Sequence, residues 1–183
     1  MKNLSQLLRL QQVVSKIFLL FCTLWTSTLY AEIVKQDNNN FDLKFDVVVN
    51  AELNKLTSTF EQVSQWWHPD HTYSGKSENL YFDSEKQHCF CEKLEDGGFV
   101  RHLDWVFYQP GKVARFVGGL GPLQTVPVDG VLTFVFKSIN QKQTQLTVTY
   151  AVSTSGDRLK GWSEPVNRVI GEQVSRLKQK AEE

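Results

Sequence analysis

The sequence predicts an α+β domain in which a curved antiparallel sheet of about seven strands wraps around one long C-terminal helix. Three observations carry this expectation. An alternating apolar–polar segment comes first, an amphipathic helical stretch then separates it from a run of further strand signals, and a longer amphipathic stretch closes the chain. The later strands are joined by turns of hairpin length, which makes neighbouring strands antiparallel. A sheet curved in this way leaves room for a pocket on its concave side.

The first strand is Phe41 to Val49, where apolar and polar residues alternate for most of the length. Asn50 is suited to cap the helix that follows. Leu53, Leu56, Phe60, Val63 and Trp67 recur at spacings of three and four, so a helix from about Ala51 to Trp66 has one apolar stripe. Pro69 closes it, because the residue before a proline is pushed out of helical geometry. Six strand signals come next: Leu80 to Phe82, His88 to Glu92, Phe99 to Tyr108, Val113 to Val117, Val128 to Phe136 and Gln145 to Val152. Turn residues separate them, among them Asp96-Gly97-Gly98, Gln109-Pro110-Gly111 and Asn140 to Gln143. In Ser163-Glu164-Pro165 a serine suits the cap, an acid suits the helix dipole and proline suits the first turn. Trp162, Val166, Val169, Ile170, Val174 and Leu177 then form a stripe that should lie against the sheet. Gly171 interrupts this helix at a cost of about 1 kcal/mol relative to alanine, tolerable where the helix must approach the sheet or a ligand closely.

Residues 1–31 read as a secretory signal peptide. Lys2, Arg9 and Lys16 give a positive leader, and Ile17 to Trp25 is an apolar core too short for a stable membrane span. Cleavage is expected near Ala31, giving an exported protein of the periplasm or cell envelope with no stable transmembrane anchor; Phe21 is too bulky for lipid attachment at Cys22. The leader removes three of the 20 basic residues and none of the 20 acidic ones, which leaves a net charge of about −3 and argues against a nucleic-acid partner. Residues 32–40 are polar and without periodicity, a flexible lead-in. The domain proper is expected over 41–181, as a monomer. Cys89 and Cys91 are the cysteines that remain. They should share one face of a strand, near the upper limit of separation for a bridge, and are expected as packed thiols in preference to a disulfide or metal ligands.

The helix leading into Trp66-Trp67, the strand order and the terminal helix resemble the START and polyketide-cyclase superfamily, SRPBCC, whose helix-grip fold is that of the birch pollen allergen. The segments WWHPDHTYSG, CFCE, VRHLDWVFYQPGK, GGLGPLQ and GEQVSRLK are similar to a bacterial branch described as heat-shock-ATPase-activator-like. The resemblance spans nearly all of residues 41–181 and implies an apolar cavity between sheet and long helix. Because the superfamily includes lipid carriers, hormone receptors, aromatase/cyclases and cochaperone domains, it does not by itself imply one activity.

The residues support a binding protein for a small hydrophobic or amphipathic molecule, such as a lipid, a sterol-like or a polyketide-like compound. Trp105, Phe107, Phe134, Phe136 and Tyr150 fall on strands that would face the terminal helix, where they either line a cavity or fill a core. His71, Tyr73 and Ser74 are expected to shape a loop at the pocket rim, with Trp67, His71 and Tyr73 as candidate ligand-binding residues. Alternation sets His102 and Asp104 on one face of their strand and Arg101 on the other. An outward polar stripe accounts for that pair; turned inward, His102 and Asp104, with Tyr108, would be proton-transfer groups of a cyclase- or dehydratase-type enzyme. A protein-interaction module is the third possibility. No metal is expected, since the histidines and cysteines lack a recognised ligand spacing, and no cofactor is implied: Gly118-Gly119-Leu120-Gly121 has neither the spacing nor the following helix of a dinucleotide loop.

Overall fold

The computed structural model describes residues 32–183; the expected leader lies outside them. Eight strands form a single antiparallel sheet: β1 (Glu32–Gln36), β2 (Asn40–Val49), β3 (Leu80–Asp83), β4 (Cys89–Lys93), β5 (Phe99–Gln109), β6 (Val113–Val117), β7 (Val128–Asn140) and β8 (Gln143–Thr154), in the spatial order β1-β2-β8-β7-β6-β5-β4-β3. Among the described residues, two α-helices, α1 (Leu53–Glu61) and α2 (Ser163–Glu182), pack on one face. Among the described residues, no helix is long and apolar enough to cross a membrane.

The long strands follow their alternation. Phe41, Leu43, Phe45, Val47 and Val49 of β2 are buried, opposite Leu146, Val148, Tyr150 and Val152 of β8. This concave layer takes the stripe of α2, where Ile170, Val174, Leu177 and Ala181 are buried. At Gly171 a Cβ would stand 3.1 Å from the Phe45 ring, so the helix approaches the sheet closely at a residue that has no side chain.

Three local expectations are corrected. The lead-in is not wholly flexible: Glu32–Gln36 pairs along β2, with main-chain hydrogen bonds supplying what its sequence pattern does not show. The helix expected to reach Trp66 stops at Glu61. The Trp66 indole donates to the Phe60 carbonyl oxygen (3.1 Å), a group a continued helix would use, and the chain re-forms as one short 3₁₀ turn, Val63–Gln65. Neither expected cap operates as such. Asn50 accepts from Gln143 Nε2 (2.9 Å), while Ser163 Oγ donates to Gln36 and ties the start of α2 to β1.

Cys89 and Cys91 form a disulfide, contrary to the expectation of packed thiols. The β4–β5 register slips beside Cys91, and the two Cα atoms stand 5.5 Å apart, inside the range a bridge accepts.

Phe60 of α1 lies at the centre of the core, its ring centroid 4.9 Å from Phe134, 5.1 Å from Phe82 and 5.3 Å from Phe136. Trp105 and Phe116 complete the packing. Aromatic side chains thus fill the space between α1 and the sheet, and the open volume lies elsewhere, beside the first half of α2.

Candidate functional site

A cleft of about 270 Å³ opens between α2, the Trp67–Tyr73 segment and the Leu120–Leu123 segment. Its walls are largely apolar: Trp67, Leu120, Pro122, Leu123, Trp162, Pro165, Val166, Val169 and Ile170. Asp70, His71, Thr72, Tyr73 and His102 supply the polar atoms.

Each wall is fixed by side-chain bonds to backbone. The tryptophan loop is held by α2: His68 N donates to Gln173 Oε1 (2.7 Å), Arg176 Nε to the Trp66 carbonyl (2.8 Å), and His71 Nε2 lies 2.9 Å from Glu172 Oε2. Trp67 Nε1 closes the loop on itself by donating to the His71 carbonyl (2.9 Å). The glycine-rich wall is held from β8, where the Tyr150 hydroxyl donates to the Gly118 carbonyl and accepts from Leu120 N, each at 3.0 Å. Burial pushes this phenol up to about 12, with the Leu120 amide acting in the opposite sense, so Tyr150 stays protonated and keeps both bonds. Gly130 lets the same wall close in: a Cβ there would stand 2.2 Å from the Gly118 carbonyl oxygen.

One residue of the cleft lining, His102, belongs to a buried ionisable pair. His102 Nε2 lies 2.9 Å from Glu92 Oε2, with side-chain exposures of 3% and 0%. Glu92 also accepts from Ser74 N (2.6 Å) and Tyr73 N (3.1 Å). Burial alone would raise the Glu92 pKa, but the bonds from Ser74, Tyr73 and His102 outweigh it and hold the carboxyl below its usual range. Burial depresses the His102 pKa, against a smaller opposing effect of Glu92. At neutral pH the pair is therefore carboxylate and neutral imidazole. Nε2 carries the proton given to Glu92, and Nδ1 is left as a lone-pair acceptor. That Nδ1 is buried and has no hydrogen-bond partner among the described residues.

His102 reaches this position through a bulge. Phe90 pairs with Leu103 and Cys91 with Arg101, so His102 is an extra residue on β5 and the alternation resets. His102 and Leu103 both turn inward. Asp104 and Arg101 are left together on the outer face, joined as an exposed ion pair. The expected His102–Asp104 pair is thus split, and the partner of His102 is Glu92. Tyr108, the third proton-transfer candidate, donates to Glu61 instead and lies outside the cleft walls.

Of the expected ligand-binding residues, Trp67, His71 and Tyr73 line the cleft. Trp105, Phe134 and Phe136 belong to the filled aromatic core, and Tyr150 acts behind the wall. A second irregularity, between Trp105 and Phe107, leaves Phe107 on the outer face, 47% exposed, with the Arg115 guanidinium 6.0 Å from its ring centre. Sequence reasoning gave no role to Glu172, Gln173 and Arg176, which clamp the loop. Gln173 alone left a signal, as a polar residue inside the apolar stripe of α2 that proves 2% exposed. Among the described residues, no group of three or more His, Cys, Asp or Glu is placed to hold a metal ion.

No family model matches the chain, and no curated protein matches its sequence. Solved structures do resemble it. A conserved protein of unknown function from Enterococcus faecalis superposes with a TM-score of 0.55 at 13% identity, covering 81% of this chain and 75% of that one. The ZhuI aromatase/cyclase from Streptomyces sp. R1128 gives 0.52 at 15%, covering 78% and 94%. The chain has the helix-grip fold. Norcoclaurine synthase from Thalictrum flavum, solved with a transition-state analogue, shares this fold at a TM-score of 0.53 and 10% identity, over 78% and 94% of the two chains. At these identities the likeness establishes the fold alone, the one that the START and polyketide-cyclase resemblance implies.

Proposed function

We propose that this helix-grip protein is an exported binding protein that takes a small hydrophobic or amphipathic molecule into the cleft between α2 and the Trp67–Tyr73 and Leu120–Leu123 segments. The observation that carries the proposal is the cleft itself, an apolar recess with polar atoms confined to one loop and the floor. Its size is about twice the ~150 Å³ cavity that accepts a benzene ring, enough for a two-ring molecule or part of a longer one. Binding would be driven by desolvation at about 25 cal/mol per Å² of apolar surface buried, with the polar atoms fixing orientation. The helix-grip fold of an aromatase/cyclase and of norcoclaurine synthase supports the use of such a recess for small molecules. Export, proposed from the basic and apolar leader, would place the binding in the cell envelope.

A cyclase- or dehydratase-type enzyme is the second reading, favoured by one observation: the cleft floor holds a neutral histidine oriented by a buried carboxylate.

Native mass spectrometry of the mature protein purified from its own envelope fraction, followed by solvent extraction, tests the first reading. A copurifying apolar molecule is the expected result. If no molecule copurifies, and Trp67 and Trp162 fluorescence and the unfolding temperature are unmoved by lipids, sterols and aromatic polyketides, the binding function is wrong.

A further inference from the structure

Resting on the cleft as a ligand site, we propose that Glu92 and His102 form its specificity element, which selects molecules carrying a neutral hydroxyl and presents His102 Nδ1 as the acceptor for that hydroxyl. The selection is by hydrogen-bond sense. Glu92 accepts from Ser74 N, Tyr73 N and His102 Nε2, which fixes one imidazole tautomer, and at 0% exposure it lies behind the cleft lining, out of a ligand's reach. The lone pair of Nδ1 is then left over on a residue that lines the cleft, buried and unmatched by any described protein donor. A buried acceptor in that state carries the cost of its lost hydration, which a ligand donor recovers on binding. Ketones, ethers and carboxylates cannot make this bond, because they bring a second acceptor to the same point.

Access is set by Tyr73. Its ring stacks with the imidazole, centroids 5.8 Å apart and planes 28° apart, and Phe90 also packs against it at 4.8 Å. Phe90 is 2% exposed and immobilised in the core, whereas Tyr73 is 52% exposed. Tyr73 is therefore the cover that can swing aside. The backbone amide of Tyr73 is bonded to Glu92, so the side chain can move while its main chain stays in place.

The test is a matched pair of probes, 2-naphthol and 2-methoxynaphthalene, titrated against the full mature protein by fluorescence of Trp67 and Trp162. The expected result is about tenfold tighter binding of the naphthol, the worth of one hydrogen bond to a buried acceptor. Glu92→Gln, whose amide can donate to Nε2 and so move the imidazole proton to Nδ1, should abolish or invert the preference. Nitrogen-15 spectra of labelled histidine should show His102 protonated at Nε2 in the wild type and at Nδ1 in the variant. Equal binding of both probes by the wild type, or a proton on Nδ1 there, overturns the inference while leaving the cleft a ligand site. Failure of both probes to bind removes the ligand site and the inference together, whereas binding of the ether alone overturns the inference only.

Discussion

Glu92 and His102 meet across β4 and β5 at 2.9 Å, and the same carboxylate holds the main chain of Tyr73 and Ser74. One side chain thus sets both the floor of the cleft and the end of the loop that forms its rim. An acidic group at 0% exposure is tolerable only because each of its oxygens is matched by a donor.

Removing that carboxylate should be costly. Glu92→Ala leaves two amides and the imidazole without their acceptor, and is expected to lose about 3–5 kcal/mol, as when one partner of a buried pair is deleted. Urea denaturation of the purified variant measures it. A loss below about 1 kcal/mol would mean that the pair is not buried as described.

Stability should fall on acidification in two stages. Both groups hold their protons less tightly in the folded chain, so the unfolded chain binds more protons as pH drops. The contribution of His102 is complete above its ordinary value of 6.5 and is lost as pH falls from there through its depressed folded value. That of Glu92 is complete above 4.5 and is lost below it in the same way. Denaturation curves from pH 8 to pH 4 should therefore show a decline beginning near 6.5, and His102→Gln should flatten that first stage.

Gly130→Ala should be strongly destabilising for its size. The added methyl meets backbone, the Gly118 carbonyl oxygen, so the strand or the wall must shift, at an expected cost of at least about 2 kcal/mol. Thermal unfolding beside the milder Tyr150→Phe, expected to lose about 1 kcal/mol through the same wall, reads the difference.

Filling the cleft should separate binding from folding. Val166 is half-buried on the cleft wall, and Val166→Trp is expected to leave stability within about 1 kcal/mol of the wild type. Binding of 2-naphthol, followed by fluorescence, should weaken by more than about tenfold. Unchanged affinity would move the binding site elsewhere.

Most of the sheet was legible because β2, β7 and β8 each have one buried and one wet face, which writes a period of two into the sequence. β1 was not, since its stability comes from main-chain pairing that any side chain permits. The helix into Trp66 was overextended because Val63 and Trp67 keep helical spacing after the helix has ended; both are buried, but from a turn. The site was legible only in part for a related reason. A bulge adds one residue and reverses inside and outside, so alternation placed His102 beside Asp104 when its partner, Glu92, sits on the next strand. Trp67, His71 and Tyr73 line the cleft; the helical period singled out Trp67, and the loop beyond Pro69 singled out His71 and Tyr73.

The strand order also dictates when the domain can close. β2 sits between β1 and β8, and all ten of its residues pair with β8 from Thr144 to Ser153; the bond from Thr144 Oγ1 to the Ala51 carbonyl spans 93 positions. During synthesis the apolar face of β2 must therefore wait, uncovered, until the last hairpin has emerged, and contacts of such long range slow closure. A ribosome-stalled chain ending at Asn140 should remain open to protease, whereas one carried past Glu182 should resist it. Until then, the nascent chain is the state most exposed to aggregation.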